Sequence, residues 1–192
     1  MEFQHVNVKL LLKNGAPVDL ESLIPLFHDW IERQIFDELL LDIADYRHVH
    51  EGPGVVLIGH QGNYSVDNVD GRLGVRYNRK AAAKGSNQDR LHQAMRSAVN
   101  ACQRLETEPV LERAVLFGGQ EMEFFLNDRL LAPNTDDTRK ALEPEFEAFL
   151  KKLFRGDGYS VSYASDPRRL FGFSVKASRS FSTADLLENL AA

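Results

Sequence analysis

The sequence predicts an α+β fold built on a mainly antiparallel sheet, and two observations support this class. Short apolar segments are separated by turn dipeptides such as Asp70-Gly71, which is typical of β-hairpins. Longer stretches repeat apolar residues every three to four positions, which is typical of helices that bury one face. We therefore expect about three long helices on one face of the sheet, with a short helix at the C-terminus.

Length and composition predict a single core. The chain has 192 residues, of which 43% are hydrophobic. We expect one α+β domain over residues 1–178, followed by a tail or docking helix over residues 179–192. The lone cysteine, Cys102, excludes an intramolecular disulfide and favours a cytoplasmic location. The chain has no apolar stretch of about 18 residues, so we expect no membrane partner.

The first elements follow from local patterns. Residues 4–12 alternate and then run apolar up to the turn dipeptide Asn14-Gly15, which predicts a strand. Asp19 can cap the following helix, whose Pro25 predicts either a separate first turn or a kink. The apolar face of this helix consists of Leu23, Phe27, Trp30, Ile31 and Ile35.

The middle of the chain predicts two hairpins and a helix. The second hairpin turns at Asp70-Gly71, the strongest short turn pattern in the chain. A capping-box pattern from Ser86 to Asp89 predicts the start of a long helix that covers the sheet. The four predicted strands cover residues 38–47, 55–60, 63–66 and 73–77.

The last third repeats the same kinds of element. Gly118-Gly119 separates two predicted strands, and a helix follows that contains Pro144 and ends near Gly156. A second capping-box pattern, Ser182 to Asp185, predicts the short terminal helix, which docks either on this chain or on a partner. The predicted strands cover residues 114–117, 122–126, 159–163 and 171–175.

One helical segment resembles another. The segment Leu23–Ile31 aligns without a gap with Leu142–Leu150, and both contain the spacing Leu-x-Pro-x-Phe. This similarity suggests two related β-α-β-β units, which we compare by topology with ferredoxin-like pieces. The units cover about residues 3–60 and 121–177, and residues 61–120 form a middle segment. Two unrelated amphipathic helices with the same period are the alternative.

Charge limits the choice of partners. The net charge of −5 argues against a nucleic-acid partner, because such proteins usually present a basic face. The charge is uneven, since residues 76–90 carry a net +4 and residues 106–147 a net −7. These stretches can face each other within one chain or between subunits. Together with the apolar terminal helix, they suggest a homodimer.

The most plausible ligand-facing segment runs from Arg76 to Lys84. Its guanidinium groups suit a phosphate or carboxylate, and the helix that follows begins with free backbone N–H groups. A solvated polar linker is the simpler alternative. The candidate ligand-binding residues are Asp45, Arg47, His60, Tyr64, Arg76, Asn78, Arg79 and Lys80.

These observations favour a non-enzymatic module that self-associates and binds a small anionic ligand or an acidic partner. A purely structural accessory domain with a broad exposed apolar patch is a further alternative. Another is an enzyme for a small anionic substrate, which requires its groups to converge on one pocket. Its acid or base would be Asp45 or Asp67, its proton donor Tyr46 or Tyr64, and its anion clamp Arg76 or Arg79.

No pattern in the sequence predicts a cofactor or a metal. His48, His50 and His60 are the best metal ligands by type, but strand pairing would place His60 too far from the other two. The segment from Asp67 to Gly71 fits a hairpin turn better than a calcium loop. Cys102 lies on the apolar face of a predicted helix, which favours packing over reactivity.

Overall fold

A computed structural model describes residues 1–13, 18–111 and 115–192. Eight strands and four helices make up the described fold, which is α+β as predicted. In chain order they are β1 (Val6–Leu12), α1 (Leu23–Arg33), β2 (Leu40–Tyr46), β3 (Gly54–Gly59), β4 (Gly62–Asp67), β5 (Gly74–Arg79), α2 (Asn87–Thr107), β6 (Phe117–Leu126), α3 (Asp136–Leu153), β7 (Tyr159–Tyr163), β8 (Phe171–Ala177) and α4 (Thr183–Ala191).

All eight strands form one antiparallel sheet in the order β2-β3-β4-β5-β1-β6-β8-β7. The N-terminal strand β1 is therefore central, paired with β5 on one side and β6 on the other. Strands β2 and β7 lie at the two ends of this order. The prediction of a mainly antiparallel sheet is confirmed.

The two predicted hairpins are present, and their turn chemistry explains them. Strand β2 pairs with β3, and β4 pairs with β5. At the second turn Asp70 and Gly71 adopt φ values of 57° and 67°, in the left-handed region that Asp and Gly tolerate best. The Asn14-Gly15 turn lies outside the described residues.

The predicted pair of strands around Gly118-Gly119 is wrong. A single ten-residue strand, β6, runs through both glycines, although its pairing with β1 shifts in register between Leu10 and Leu12. Gly119 has φ of 52°, and a Cβ on it would collide with the backbone carbonyl of Phe181. The glycines therefore accommodate an irregularity within the strand. The first residue of the predicted 114–117 strand lies outside the described residues.

The two Leu-x-Pro-x-Phe segments occupy different positions in their helices. In α1, Pro25 lies in the first turn after a short turn at residues 20–22, where the missing N–H is not needed. In α3, Pro144 lies in the interior of a helix that continues from Asp136 to Leu153. A separate turn at the proline is thus found in only one of them. Only α2 and α3 are long, with 21 and 18 residues, whereas α1 has 11.

Aromatic contacts show which face of the sheet the helices cover. Trp30 of α1 packs on Phe36, which stacks on Tyr64 of β4. On the other half, Phe146 of α3 packs on Phe124 and Phe173 of the sheet. The long helix α2 packs over β1 and β5 between these clusters. We call this side of the sheet the helix-covered face.

The terminal helix α4 docks on its own chain. It packs against α2, α3 and β6, and Leu186 is fully buried. Its start is fixed by a capping box between Ser182 and Asp185, and the Asn189 amide donates to the Leu153 carbonyl. The apolar side of this helix is therefore not free for a second subunit. None of the described helices combines the length and apolar character needed to cross a bilayer.

We expect Leu186→Ala to lower the free energy of unfolding by about 2–5 kcal/mol, because it leaves a cavity between α4 and the rest of the core. Chemical denaturation would measure the change. Glu188→Ala on the exposed side of the same helix is the control, with an expected loss below about 1 kcal/mol. Equal losses for the two variants would contradict the docked position of α4.

Candidate functional site

Polar side chains cover the centre of the sheet on the side opposite the helix-covered face. Successive residues of a strand point to opposite faces, so each polar residue here alternates with a core residue. In β1, for example, Lys9 lies between the buried residues Val8 and Leu10. We call this surface the polar face; its members are Asn7, Lys9, Asn63, Ser65, Asp67, Arg76 and Asn78.

Strand register brings these residues into adjacent rows. In one row, Asn78 of β5 lies directly opposite Asn7 of β1 and Asn63 of β4. In the next row, Arg76 of β5 lies opposite Lys9 and Ser65. Three neighbouring strands thus place amide, hydroxyl and cationic groups within side-chain reach of one another.

A buried ion pair lies beneath this surface. The Lys9 ammonium donates to Asp67 Oδ1 over 2.6 Å, and both side chains are completely buried. Lys9 reaches across the intervening strand β5 at Gly74, where an added Cβ would lie 3.1 Å from Lys9 Cε. Burial lowers the pKa of Lys9, and the Asp67 carboxylate opposes that effect.

Arg76 lies above this pair and is the accessible cation of the polar face. Its Nε is 3.2 Å from Asp67 Oδ2, and its guanidinium stacks over the Phe125 ring at 5.1 Å from the ring centre. The side chain is 20% exposed. Among the described residues, no hydrogen-bond acceptor engages its terminal nitrogens, which leaves donors for a ligand.

Unsatisfied polar atoms concentrate on this face. Six buried side-chain nitrogen or oxygen atoms have no hydrogen-bond partner among the described residues. Five of the six belong to the polar face, and buried polar atoms without a partner are costly and rare. The five atoms are Asn7 Oδ1, Asn63 Oδ1, Ser65 Oγ, Asp67 Oδ2 and Arg76 Nε, of which the last two face each other at 3.2 Å as an ion pair without hydrogen-bond geometry.

The charges beside the polar face pair with each other. Arg72 donates to Glu121 over 2.7 Å and to Glu123 over 2.8 Å, and Lys176 also contacts Glu121. The Lys176 hydrogen bond is the main reason that the pKa of Glu121 is lowered. Two cations thus balance two carboxylates here. In the central group, Lys9 and Arg76 both contact the Asp67 carboxylate, and Lys9 also lies directly opposite the buried Glu123 of β6.

The predicted residues Asp45 and Arg47 lie elsewhere, at the end of strand β2. Their side chains form a two-pronged ion pair, with Arg47 Nε 3.0 Å and its terminal nitrogen 2.9 Å from the two carboxylate oxygens. These hydrogen bonds lower the pKa of Asp45 to about 2. Both residues are exposed and belong to an edge of the sheet, away from the polar face.

His60 and Tyr64 also lie away from the polar face. His60 is exposed in the turn between β3 and β4. Tyr64 points to the helix-covered face, where its hydroxyl donates to Glu38 over 2.7 Å. Burial is the main cause that raises the pKa of Tyr64, and the Glu38 charge adds to it.

Arg79 and Lys80 complete the set of predicted residues. The Arg79 guanidinium donates to the carbonyl of Ala81 over 2.8 Å and to the side chain of Gln61 over 2.8 Å. It therefore fixes the loop after β5 and is not free to clamp an anion. Lys80 is exposed at the end of that strand. Of the eight predicted residues, only Arg76 and Asn78 lie on the polar face.

Sequence reasoning missed Asn7, Lys9, Asn63 and Ser65. Two polar residues within the otherwise apolar segment Val6–Leu12 were visible, but their alternation is equally typical of a strand with one solvated face. Their burial depends on β1 being central, which the sequence does not reveal. Cys102, by contrast, lies in the core as predicted, and burial raises the pKa of its thiol.

Comparisons with protein-family models and with curated proteins find no match for this chain.

We expect Lys9→Met to lower the free energy of unfolding by about 3–5 kcal/mol, because it leaves the Asp67 carboxylate buried without its closest cation. Asp67→Asn should have a similar effect. The free energy of unfolding lost in the double variant should be smaller than the sum of the two single losses. The difference, measured by denaturation, is the coupling energy, and we expect it to be about 2 kcal/mol or more. Additive losses would show that the two side chains do not interact as the structure indicates.

Proposed function

We propose that this protein is a non-enzymatic binding module that holds a small anionic ligand on its polar face, with Arg76 as the anchor. The observation that supports this most directly is the state of the Arg76 guanidinium. It is held in place by Phe125 and Asp67, yet its terminal nitrogens have no acceptor among the described residues. A positioned guanidinium with free donors matches the geometry of a carboxylate or phosphate.

The local charge favours an anion at this point. Lys9 and Arg76 contact the Asp67 carboxylate, and the buried Glu123 opposite Lys9 is paired with Arg72, so one positive charge in these largely buried surroundings has no carboxylate of its own among the described residues. Excess charge in such surroundings is unfavourable unless a counter-charge is supplied. The amides of Asn63 and Asn78 lie beside Arg76 and are half-buried, so they can add neutral hydrogen bonds to the same ligand.

The positions of these side chains support ligand binding better than they support acid–base catalysis. The enzyme alternative requires a carboxyl group, a tyrosine and an arginine in one pocket. Asp67 and Arg76 lie on the polar face, whereas Tyr64 lies on the other side of the sheet with its hydroxyl engaged by Glu38. The other candidate proton donor, Tyr46, ends the edge strand β2 and lies away from the polar face. Asp45, with a pKa of about 2, would be a weak base at neutral pH.

We expect Arg76→Gln to weaken the binding of a small polyanion by about 10–100-fold, which corresponds to the loss of about 1.5–3 kcal/mol for hydrogen bonds to a charged group. Citrate and inorganic phosphate are suitable probes, and isothermal titration calorimetry at low salt would measure their dissociation constants. Lys80→Gln, a charge-matched change at the exposed end of the same strand, should leave the constants within a factor of about two.

Two results would contradict this proposal: neither probe binds the native protein at millimolar concentration, or Arg76→Gln and Lys80→Gln weaken binding equally. The second result would show that net charge, and not the polar face, attracts the anion. Circular dichroism of each variant distinguishes lost binding from lost folding.

We further propose that the protein forms a homodimer through the edge strand β2 and acts in the cytoplasm. Because α4 docks on its own chain, its apolar side does not support a dimer, whereas the uneven charge of the chain and the edge strand do. Leu39 and Leu41 are 56% and 49% exposed, and Tyr46 is 43% exposed. An apolar strand edge is a surface on which a second copy can continue the sheet.

We also propose that the two β-α-β-β units arose by duplication. Both have the order strand, helix, strand, strand, as β1-α1-β2-β3 and as β6-α3-β7-β8.

We expect Leu41→Lys to convert the dimer into a monomer, because a charge on an exposed edge strand opposes continued pairing. Light scattering coupled to size-exclusion chromatography would measure the mass. Val110→Lys, which also adds a lysine at an exposed apolar position, is the control and should leave the mass unchanged. A native protein that runs as a monomer at high concentration would contradict the dimer.

A further inference from the structure

A separate cavity lies on the helix-covered face. It has a volume of about 690 Å³, is open to solvent on one side, and is lined by the loop before β2, by β4 and by α2. The residues that determine its chemistry are Phe36, Glu38, Tyr64, Gln93, Arg96 and Arg104. None of them belongs to the polar face, and the sheet lies between the two sites.

The inner wall of the cavity presents acceptors. Glu38 is more than nine-tenths buried, and its carboxylate accepts from the backbone N–H groups of Gln61 and Gly62 and from the Tyr64 hydroxyl at 2.7–2.9 Å. All three donors are neutral. Within the described part of the chain, no lysine, arginine or histidine forms an ion pair with this carboxylate, although buried carboxylates are usually paired with a cation.

Gln93 adds an unsatisfied acceptor at the same place. Its amide nitrogen donates weakly to Tyr77 at 3.3 Å and to Ser97 at 3.4 Å, which fixes the side chain. Its Oε1 is buried and has no partner among the described residues. Of the unpartnered buried side-chain atoms in the described residues, it is the one that lies away from the polar face. The cavity therefore contains a buried carboxylate without a cation and a carbonyl oxygen without a hydrogen-bond donor from the part of the chain that the structure describes.

The rim of the cavity has the opposite character. Arg96, Asn100 and Arg104 follow one another at intervals of four residues, so they form one stripe along α2. Both arginines are exposed, and their guanidinium groups make no hydrogen bond or ion pair with the described residues. The cavity thus combines negative and acceptor groups inside with free positive groups at its mouth.

We propose that this cavity binds a small zwitterion, with an ammonium group directed to Glu38 and Gln93 and a carboxylate held by Arg96 or Arg104. The ammonium supplies the cation that the buried Glu38 lacks and a donor for Gln93 Oε1. The carboxylate obtains charge-assisted hydrogen bonds from a guanidinium. A free amino acid or an ω-amino acid has this chemistry, whereas a simple anion satisfies only the rim.

The placement of Glu38 depends on two small residues next to it. A Cβ on Gly59 would lie 2.5 Å from Glu38 Oε2, and one on Gly62 would lie 2.5 Å from the Tyr77 ring. The close approach of these backbones lets Gly62 donate directly to the carboxylate. The inner wall is therefore formed by backbone geometry as well as by side chains, which fixes the acceptor before a ligand arrives.

Calorimetric titration of the full-length protein tests the charge requirement. The probes are glycine, 4-aminobutyrate and 6-aminohexanoate, which differ in the separation of their two charges. Butyrate and butylammonium are matched controls that each lack one charge. We expect at least one zwitterion to bind at least 10-fold more tightly than either control. Equal binding of zwitterions and singly charged controls, or no binding of any zwitterion, would overturn the proposal.

Variants then locate the binding site. Arg96→Gln/Arg104→Gln changes only exposed residues and should weaken binding of the best zwitterion by at least 10-fold. Lys140→Gln/Lys151→Gln on α3 removes the same number of exposed charges and should not change binding. Gln93→Met should weaken it by about 5–10-fold. If none of these cavity variants changes the dissociation constant, the proposal is wrong.

Glu38→Gln tests the inner carboxylate, and circular dichroism checks that the variant folds. In a folded variant, preference for the zwitterion over butyrate should disappear, and retention of that preference would overturn the assignment of the ammonium. Arg76→Gln should leave zwitterion binding intact, so failure at one site is distinguished from failure at the other.

Discussion

The buried ion pair between Lys9 and Asp67 is the constraint on which the polar face depends. Strand β1 is paired with a neighbour on both sides, so the Lys9 side chain lies far from either edge of the sheet. Its buried ammonium therefore needs a carboxylate within reach. Asp67 lies two strands away and is reached because Gly74, on the strand between them, has no side chain. The same carboxylate accepts from the backbone N–H of Val69 and approaches Arg76. The turn after β4 and the orientation of Arg76 are thus linked to one residue of β1.

Features encoded by neighbouring residues could be predicted from the sequence. The capping boxes at Ser86 and Ser182 were visible because the cap and its partner are three residues apart, and both are formed. The turn at Asp70-Gly71 was predictable for the same reason. The central position of β1 was not, because it depends on pairing with β5 and β6, which are distant in sequence. The burial of Lys9 follows from that position, so neither the ion pair nor the polar face could be located in advance.

The candidate residues were grouped by closeness in sequence, and strand geometry divides them. Arg76 and Asn78 are two residues apart and share the polar face, whereas Arg79 is an odd number of positions from Arg76 and points to the other side. Tyr64 and Asp67 are separated in the same way. This division could have been inferred from the period of two alone. The contributions of Lys9 and Glu38 could not have been inferred in this way. Each of them contacts residues on another element, and the sequence does not reveal that the two elements are close in space.

Strand β4 contributes to both proposed sites. Asn63 and Ser65 face Arg76, and Tyr64 between them donates to Glu38 on the opposite side. Because successive side chains of a strand point to opposite faces, one strand can contribute residues to two different sites. A substitution on one face leaves the side chains on the other face in place. A shift of the β4 register by one residue would exchange these faces, placing Tyr64 among the polar side chains and Asn63 and Ser65 in the core. The separation of anion-binding and acceptor-rich surfaces therefore rests on a register that the buried aromatic contacts of Tyr64 with Phe36 and Tyr77 maintain.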